Sequence, residues 1–363
     1  MSTLQQLALT RIKGVGPKTA RQLLEHFGSV EAIFSADQDQ LLSLSGIGKV
    51  TMEAIRSKDK LQEAEKELAF MEKHKIQGLW IEDDDYPYRL RECADAPLFL
   101  YYRGNAKLNP KRSVSIVGTR HATSYGKGIC EELIAGLQDY DVHIISGLAY
   151  GIDVQAHRLA LKYAIPTIGV LGHGLDKIYP ANHRQIASNM LEGGGLLTEY
   201  ASGSPVDPGH FPARNRIIAG LSDVTIVVEA AQKGGALITA ELANSYNRDV
   251  CAFPGNLGQT YSAGCNYLIK THRAQLIRDV DDLIYLMGWE KSKNTISKAS
   301  KLPLQLKKEE RQIYEFLQAR GQASVDEIAR QLACPMSILA ITLLEMEMKG
   351  LLHSLPGKTY KPI

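Results

Sequence analysis

The chain has 363 residues, 44% of them hydrophobic and 23% charged, with a formal net charge of +2. That length exceeds one ordinary domain, so two or three are expected, and the near-neutral balance excludes a globally basic surface; affinity for a polyanion must come from local Lys and Arg clusters. No run reaches the roughly 20 apolar residues of a membrane span, and MSTLQQLALTRIKG lacks a signal-peptide layout, so a cytoplasmic location is expected.

From Leu4 to about Arg56 the sequence reads as short amphipathic helices broken by two glycine hairpins, GVGPKTA from Gly14 and GIGKVTM from Gly46, the second a degenerate copy of the first. A charged helical stretch, Lys58 to His74, completes a helical domain over 1–72. Residues 73–112, rich in Pro, Tyr and turn formers, read as a lead-in that packs on the next domain. From Ser113 short β-branched runs alternate with helical segments: SVSIVG, VHIISG, PTIGVLG, GLLTEY, DVTIVVEA, DVCAFPG and AQLIRDV. This texture predicts an α/β fold, a doubly wound and mostly parallel sheet covered on both faces, over 73–289 with the lead-in. The predicted helices are Tyr125 to Asp139, Gly151 to Tyr163, Asn182 to Glu192, Arg214 to Leu221 and Gly235 to Asn247. A polar, basic linker is expected over 290–305. Over 306–363, three helices and a hairpin turning at Pro356-Gly357 predict a winged helix, with Ser324 and Glu327 forming a capping box. Its third helix, PMSILAITLLEMEMKG, carries too few donors to read a duplex, which favours a protein contact or packing.

The five cysteines, Cys93, Cys130, Cys251, Cys265 and Cys334, include no C-x-x-C pair, so reduced thiols are expected and no metal site. Ligands of an open parallel sheet bind beyond the carboxyl ends of its strands. Those ends read Gly118-Thr119-Arg120, Ser146 to Gly151, Gly172-His173-Gly174, Glu229 to Gly235 and Pro254-Gly255-Asn256. Glycine there admits close backbone approach, and the helices that follow bring N–H groups to the same edge, an arrangement that favours phosphate. Arg120, Arg214, Arg216 and Lys233 accompany it; taken singly, each glycine would equally suit a plain tight turn.

The dinucleotide fingerprint, the P-loop and G-x-S-x-G are all missing, which disfavours nicotinamide or flavin cofactors, P-loop ATPases and the usual α/β-hydrolase chemistry; no cofactor is expected. Asp153, Asp176, Glu199 and Glu229, with His157, His173, His183 and His210, fall near the edge without a spacing that specifies acid–base work, so binding is preferred over catalysis.

The motifs SIVGTR, SGLAYGIDVQAH, GVLGHGLDKIYPANH, GLLTEY, FPARNRIIAGLS, VVEA, GGALITAELA and FPGN, in this order, resemble the DNA processing protein A family, also called DprA or Smf. The resemblance spans Ser113 to about Asp282. It implies a Rossmann-like domain that dimerises, binds single-stranded DNA without sequence preference and loads the RecA recombinase in natural transformation, with single-strand-binding protein as a further candidate partner and no catalytic turnover. It places Gly118, Thr119 and Arg120 in a G-[ST]-R loop, Arg214, Asn215 and Arg216 in an R-N-R element, and Gly147, Gly151, Gly235 and Thr239 in the other pocket loops, with Lys233 beside them. Two departures stand out: Gly234-Gly235-Ala236 replaces a serine-bearing loop, and LIKTHRAQLI lacks a common Gly-Ala pair. On this reading Arg214 and Arg216, at the mouth of a helix, face successive phosphates with Arg120 on the same path; a structural salt bridge from Arg216 to Glu229 or Asp223 is the competing expectation. Stacking of bases on Tyr150, Tyr200 or Phe211 would add to the binding.

The amino-terminal repeats resemble helix-hairpin-helix (SAM-like) elements. Gly14, Gly16 and Lys18, and Gly46, Gly48 and Lys49, form a secondary DNA-binding candidate, with protein contact as the equal alternative. A nucleotide-processing enzyme resembling phosphoribohydrolases, acting through Glu229 or Asp153 at the same edge, is the alternative function.

Overall fold

The computed structural model describes residues 3–291 and 307–362, apart from 58, 333, 350 and 356. Residues 1–293 form one compact unit and 294–363 another. All but the first two residues of the expected linker, and Pro356 of the expected turn, lie outside the described residues.

The first unit opens with six helices: α1 (Thr3–Thr10), α2 (Pro17–Phe27), α3 (Val30–Ser35), α4 (Gln38–Leu42), α5 (Lys49–Arg56) and α6 (Asp59–His74). Gly14 and Gly46 take φ of +93° and +89°, so each hairpin can reverse sharply before α2 or α5, while Val15 and Ile47 tuck inward. The helices are bound to the α/β core by polar contacts. Buried Glu67, ion-paired with Arg11 at 3.0 Å, accepts from the Ser202 backbone N–H at 2.8 Å, and Arg21 donates to the Cys93 carbonyl at 3.0 Å.

The segment at 73–112 is more than a lead-in. It supplies β1 (Gln77–Trp80), a short helix α7 (Tyr88–Arg91) and β2 (Phe99–Gly104). The strands β3 (Arg112–Val117), β4 (Val142–Ser146), β5 (Thr167–Val170), β6 (Gly194–Thr198), β7 (Val224–Val227), β8 (Asp249–Ala252) and β9 (Gln275–Leu276) follow in the predicted places. They alternate with α8 (Ser124–Gly136), α9 (Ile152–Lys162), α10 (Arg184–Gly193), α11 (His210–Gly220), α12 (Gly235–Ser245) and α13 (Ala263–Lys270), and α14 (Val280–Met287) closes the unit.

The sheet runs β1-β2-β6-β5-β4-β3-β7-β8-β9, parallel from β6 to β9, with β1 and β2 added antiparallel. It is a Rossmann-like sheet. The chain winds outward from β3 to β6, then returns to place β7 against β3, so the crevice of the topological switch lies beyond Val117 and Val227. Val114, Ile116, Ile144 and Ile226 face one core with α8 and α9, while Val117, Ile145, Ile168 and Val227 face the other with α11 and α12. Burial on both faces explains why these strands read as continuous apolar runs. At the far edge β9 is only two residues long, both exposed.

Helix α11 starts at His210, four residues before the expected Arg214. Pro212 sits inside its first turn, where no backbone N–H is needed, so the proline does not mark the boundary. Arg214, Asn215 and Arg216 therefore project from the second turn and not from the helix mouth.

The second unit comprises α15 (Lys308–Arg320), β10 (Ala323–Ser324), α16 (Val325–Gln331), α17 (Met336–Met348), β11 (Leu352–Leu355) and β12 (Thr359–Pro362), with the sheet ordered β10-β12-β11. Ile313, Leu317, Ile328, Leu339 and Leu343 fill the core of this winged helix. The capping box forms as expected, Ser324 Oγ accepting from the Glu327 N–H at 3.3 Å and Glu327 from the Ser324 N–H at 2.9 Å.

One clasp ties the antiparallel extension to the parallel sheet. Buried Arg89 on α7 donates to both Asp223 oxygens, at 2.6 and 3.0 Å, and to the carbonyls of Pro110 and Lys111; Asp223 also accepts from the Ser113 N–H. Removing one member of a buried pair strands the other's charge. Arg89→Ala should therefore lower the stability of the unit by about 3 kcal/mol, measured by urea unfolding, against little change for an exposed arginine such as Arg158.

Candidate functional site

At the switch point three loops pack backbone against backbone. The Thr119 N–H donates to the Glu229 carbonyl at 2.7 Å, and the Ile152 N–H donates to the Thr119 carbonyl at 3.2 Å. Gly151 has φ +80°, and a Cβ there would stand 2.1 Å from the Thr119 carbonyl oxygen. A side chain at 151 would push the Gly118-Thr119-Arg120 loop away.

A cavity of about 720 Å³ opens above these loops, bordered by Thr119, Arg120, Asp153, Asn215, Lys233 and Gly235. Helix α12 points its amino terminus into it from Gly234, with no side-chain cap. Arg120 and Lys233 are exposed, and neither has an acidic partner among the described residues. Two free cations and a helix start thus line one open basin.

The R-N-R element is placed differently from the expectation. Arg214 is 4% exposed, and its Nη1 donates to the Gly147 carbonyl at 2.5 Å and to the Val170 carbonyl. Those carbonyls end β4 and β5, where the ladder leaves oxygens without partners. Gly147 is required beneath the guanidinium, since a Cβ there would lie 2.3 Å from Arg214 Nη2. Burial pushes the Arg214 guanidinium down to about 10, opposed by the negative charge of Asp153 and reinforced by Arg120. Burial raises the Asp153 carboxyl, and Arg214 counters it. Arg214 thus donates to the protein's own carbonyls, and its side chain also borders the cavity.

Asn215 accepts from Arg214 Nε at 3.1 Å and donates to the Gly235 carbonyl at 3.2 Å, joining α11 to the start of α12. Thr239 spends its hydroxyl on the Gly235 carbonyl, one turn back in its own helix, at 3.0 Å. Arg216 is paired, as the competing expectation had it, but with Glu199; Asp223 is held by Arg89, and Glu229 accepts from Thr123 N and Oγ1 at 2.9 and 2.6 Å. Burial raises the Glu199 carboxyl while Arg216 lowers it.

Of the aromatic residues, Tyr150 is 46% exposed and meets His183 edge-on at 4.9 Å. Tyr200 already stacks on His210 at 4.1 Å, and Phe211 is half-buried against Tyr179. Gly14, Gly16, Lys18, Gly46, Gly48 and Lys49 lie in the helical hairpins and do not border the cavity. In the winged helix, Lys307 and Lys349 beside α17 pair with Glu345 and Glu310. Sequence reasoning missed Lys127 and Arg158, which project from α8 and α9 next to Arg120; each is a lone cation in an otherwise ordinary helix, and only the fold brings them together. Among the described residues no single helix is long and apolar enough to cross a membrane.

Fold and site together define a Rossmann-like protein whose strand ends open on a cation-rimmed basin. The chain belongs to the DNA recombination-mediator protein A family, whose model matches residues 77–288. A SAM-like helix-hairpin-helix tandem matches residues 7–60 and the DprA winged helix domain residues 297–358. The chain is 39% identical to Protein Smf of Synechocystis sp. over 78% of this chain and 72% of that one, and 41% identical to the DNA processing protein DprA of Streptococcus pneumoniae over 58% and 74%. The X-ray structure of the S. pneumoniae DprA aligns with a TM-score of 0.64 at 34% identity, covering 80% of this chain and 99% of that one. DNA processing protein A from Helicobacter pylori, whose structure describes a unique single-stranded DNA binding mode, aligns with a TM-score of 0.54 at 32% identity, covering 60% and 98%.

Behind the basin, fully buried His157 holds Thr167 Oγ1 at 2.7 Å, and burial, then Arg214 and His183, lower it from 6.5 to about 3. At the opposite end of the sheet burial lowers His143 to about 4. Both stay neutral in the fold while the unfolded chain takes up protons below pH 6.5, so their contribution is complete above 6.5 and is lost as pH falls toward 4. Unfolding free energy should drop by up to about 1.4 kcal/mol per pH unit for each histidine. Denaturation curves at several pH values should show a flatter dependence for the His143→Gln/His157→Gln double variant.

Proposed function

We propose that this protein binds single-stranded DNA across the basin at the switch point, without sequence preference, and acts as a mediator that loads a RecA-type recombinase on the strand. The observation that carries the reading is the pair of unpartnered cations, Arg120 and Lys233, that border the same cavity as the uncapped start of α12. A phosphate between them would meet backbone N–H donors and two charges at once, none of which depends on base identity. Arg214, Asn215 and Thr239 enter as the frame that fixes the loops, a positioning role in place of direct phosphate contact. The partner half of the reading, RecA and a homodimer, rests on membership of the family and on what the resemblance implies for it.

Asp153, although it borders the cavity, is engaged by Arg214 and by backbone N–H groups, and Glu229 accepts from Thr123 at the start of α8, which supports binding over handling of a leaving base. Purified protein incubated with mononucleotides should leave them intact; turnover abolished by Glu229→Gln would favour the enzyme reading instead.

Each phosphate contact to a single strand contributes a slope of about −0.7 to the dependence of log affinity on log salt. Arg120→Ala with Lys233→Ala should therefore flatten that slope by about 0.7 and weaken all oligonucleotide sequences alike. Arg214→Ala should instead lower unfolding stability, by about 3 kcal/mol, because it strands Asp153 and two strand-end carbonyls. An unchanged salt slope in the Arg120/Lys233 variant would overturn the assignment of these two residues.

A further inference from the structure

A second cavity of about 590 Å³ adjoins the first and shares Arg120 and His121 with it. It lies over the amino-terminal turns of α8 and α9, and its border includes Lys127, Tyr150, Gln155, Arg158, Asn182 and His183, with no carboxylate.

The two helices follow successive parallel strands and pack side by side, so residues 31 apart face each other across them. One turn further along, that position is filled by an ion pair: Lys162 Nζ meets Glu131 Oε1 at 2.8 Å. One turn earlier, the same spacing sets Arg158 opposite Lys127. Both are exposed, neither has an acidic partner among the described residues, and like charges so placed repel. An acid at either position would have continued the ladder of pairs. A rung of two cations at the groove end, above a rung that is paired, is the pattern of a site completed by an outside anion.

The anion is one that continues from the first cavity. Arg120 belongs to both walls, so a chain of phosphates leaving the Arg120–Lys233 basin passes directly into the second groove. Tyr150 borders the second cavity close to the shared Arg120, with 46% of its surface open, and its ring meets His183 edge-on, whose Nδ1 is fixed on the Leu148 carbonyl at 2.9 Å. A pre-oriented, half-open ring beside a cationic groove suits an unpaired base, which has a π-face whatever its identity. A duplex holds its bases stacked inside and offers none to such a ring.

We propose that the groove between α8 and α9 is a second strand subsite, in which Lys127 and Arg158 clamp a phosphate of the same single strand that occupies the first basin, while Tyr150 carries a base between the two. This rests on the proposed function of the first basin and extends it: the footprint covers both cavities, and the outer one is reached only by a strand long enough to leave the inner one.

The test compares an oligothymidylate of about five nucleotides with one of about twenty, by fluorescence anisotropy over a salt series on the full chain. Lys127→Ala with Arg158→Ala should leave the short ligand's affinity as in wild type, and should flatten the long ligand's salt slope by about 0.7. Tyr150→Ala should weaken the long ligand by about 10-fold with its salt slope unchanged, as loss of one stacking contact does. Both sites are exposed, so thermal unfolding of the variants should match wild type and exclude misfolding. Wild-type slopes in the Lys127/Arg158 variant with the long ligand overturn the second subsite and leave the first intact. Failure of wild type to bind either ligand overturns the first reading and this one with it. An equal loss on a duplex of the same length overturns the assignment to an unpaired strand.

Discussion

The guanidinium of Arg214 holds the site together. Parallel strands end with carbonyls that have no neighbour to bond, and the loops beyond β4 and β5 would otherwise bury two of them above a buried carboxylate. Arg214 answers all three demands, donating to Gly147 and Val170 and facing Asp153. Because a planar guanidinium fills that space, residue 147 has to be glycine, and the loop it begins runs flat enough to meet the Thr119 carbonyl at Gly151. The exposed Arg120 stands beside a loop framework held by an arginine that is itself almost wholly buried. A lysine at 214 would supply one point of charge where a fork is required.

Much of the architecture was legible in the residues. Six of the parallel strands, β3 to β8, announced themselves as largely apolar runs because both faces of the sheet are covered, and the winged helix because Ser324 and Glu327 are spaced for a reciprocal cap. The strands β1 and β2 were not legible. They lie on either side of an acidic, proline-bearing segment that carries α7; among the described residues β1 pairs only with β2, and β2 is placed by antiparallel contact with β6, almost a hundred residues away in the chain. The start of α11 was misplaced because Pro212 reads as a stop before a helix as readily as a first-turn residue within one.

The site was legible as a place and less so in its division of labour. Glycines at strand ends marked the edge, but an arginine bound for carbonyls and one bound for solvent look alike in sequence. Arg214 finds its acceptors 67 and 44 residues away, on loops whose proximity only the strand order creates. Glu199, the partner of Arg216, sits 17 residues before it in a segment with no regular spacing to suggest the pair. Lys127 and Arg158 are the converse case. Neither belongs to a motif, and their interest arises wholly from facing each other across two helices.

The two flanks of the sheet are finished in different ways. One is padded by β1 and β2, while the other stops at the two residues of β9, Gln275 and Leu276. So abbreviated a border offers an incoming strand hardly any backbone rungs to grip, which guards against runaway edge-to-edge stacking. Any association of two copies along that margin has to be cemented by side chains from the flanking helices, and its specificity will be written in their shapes and not in a shared ladder.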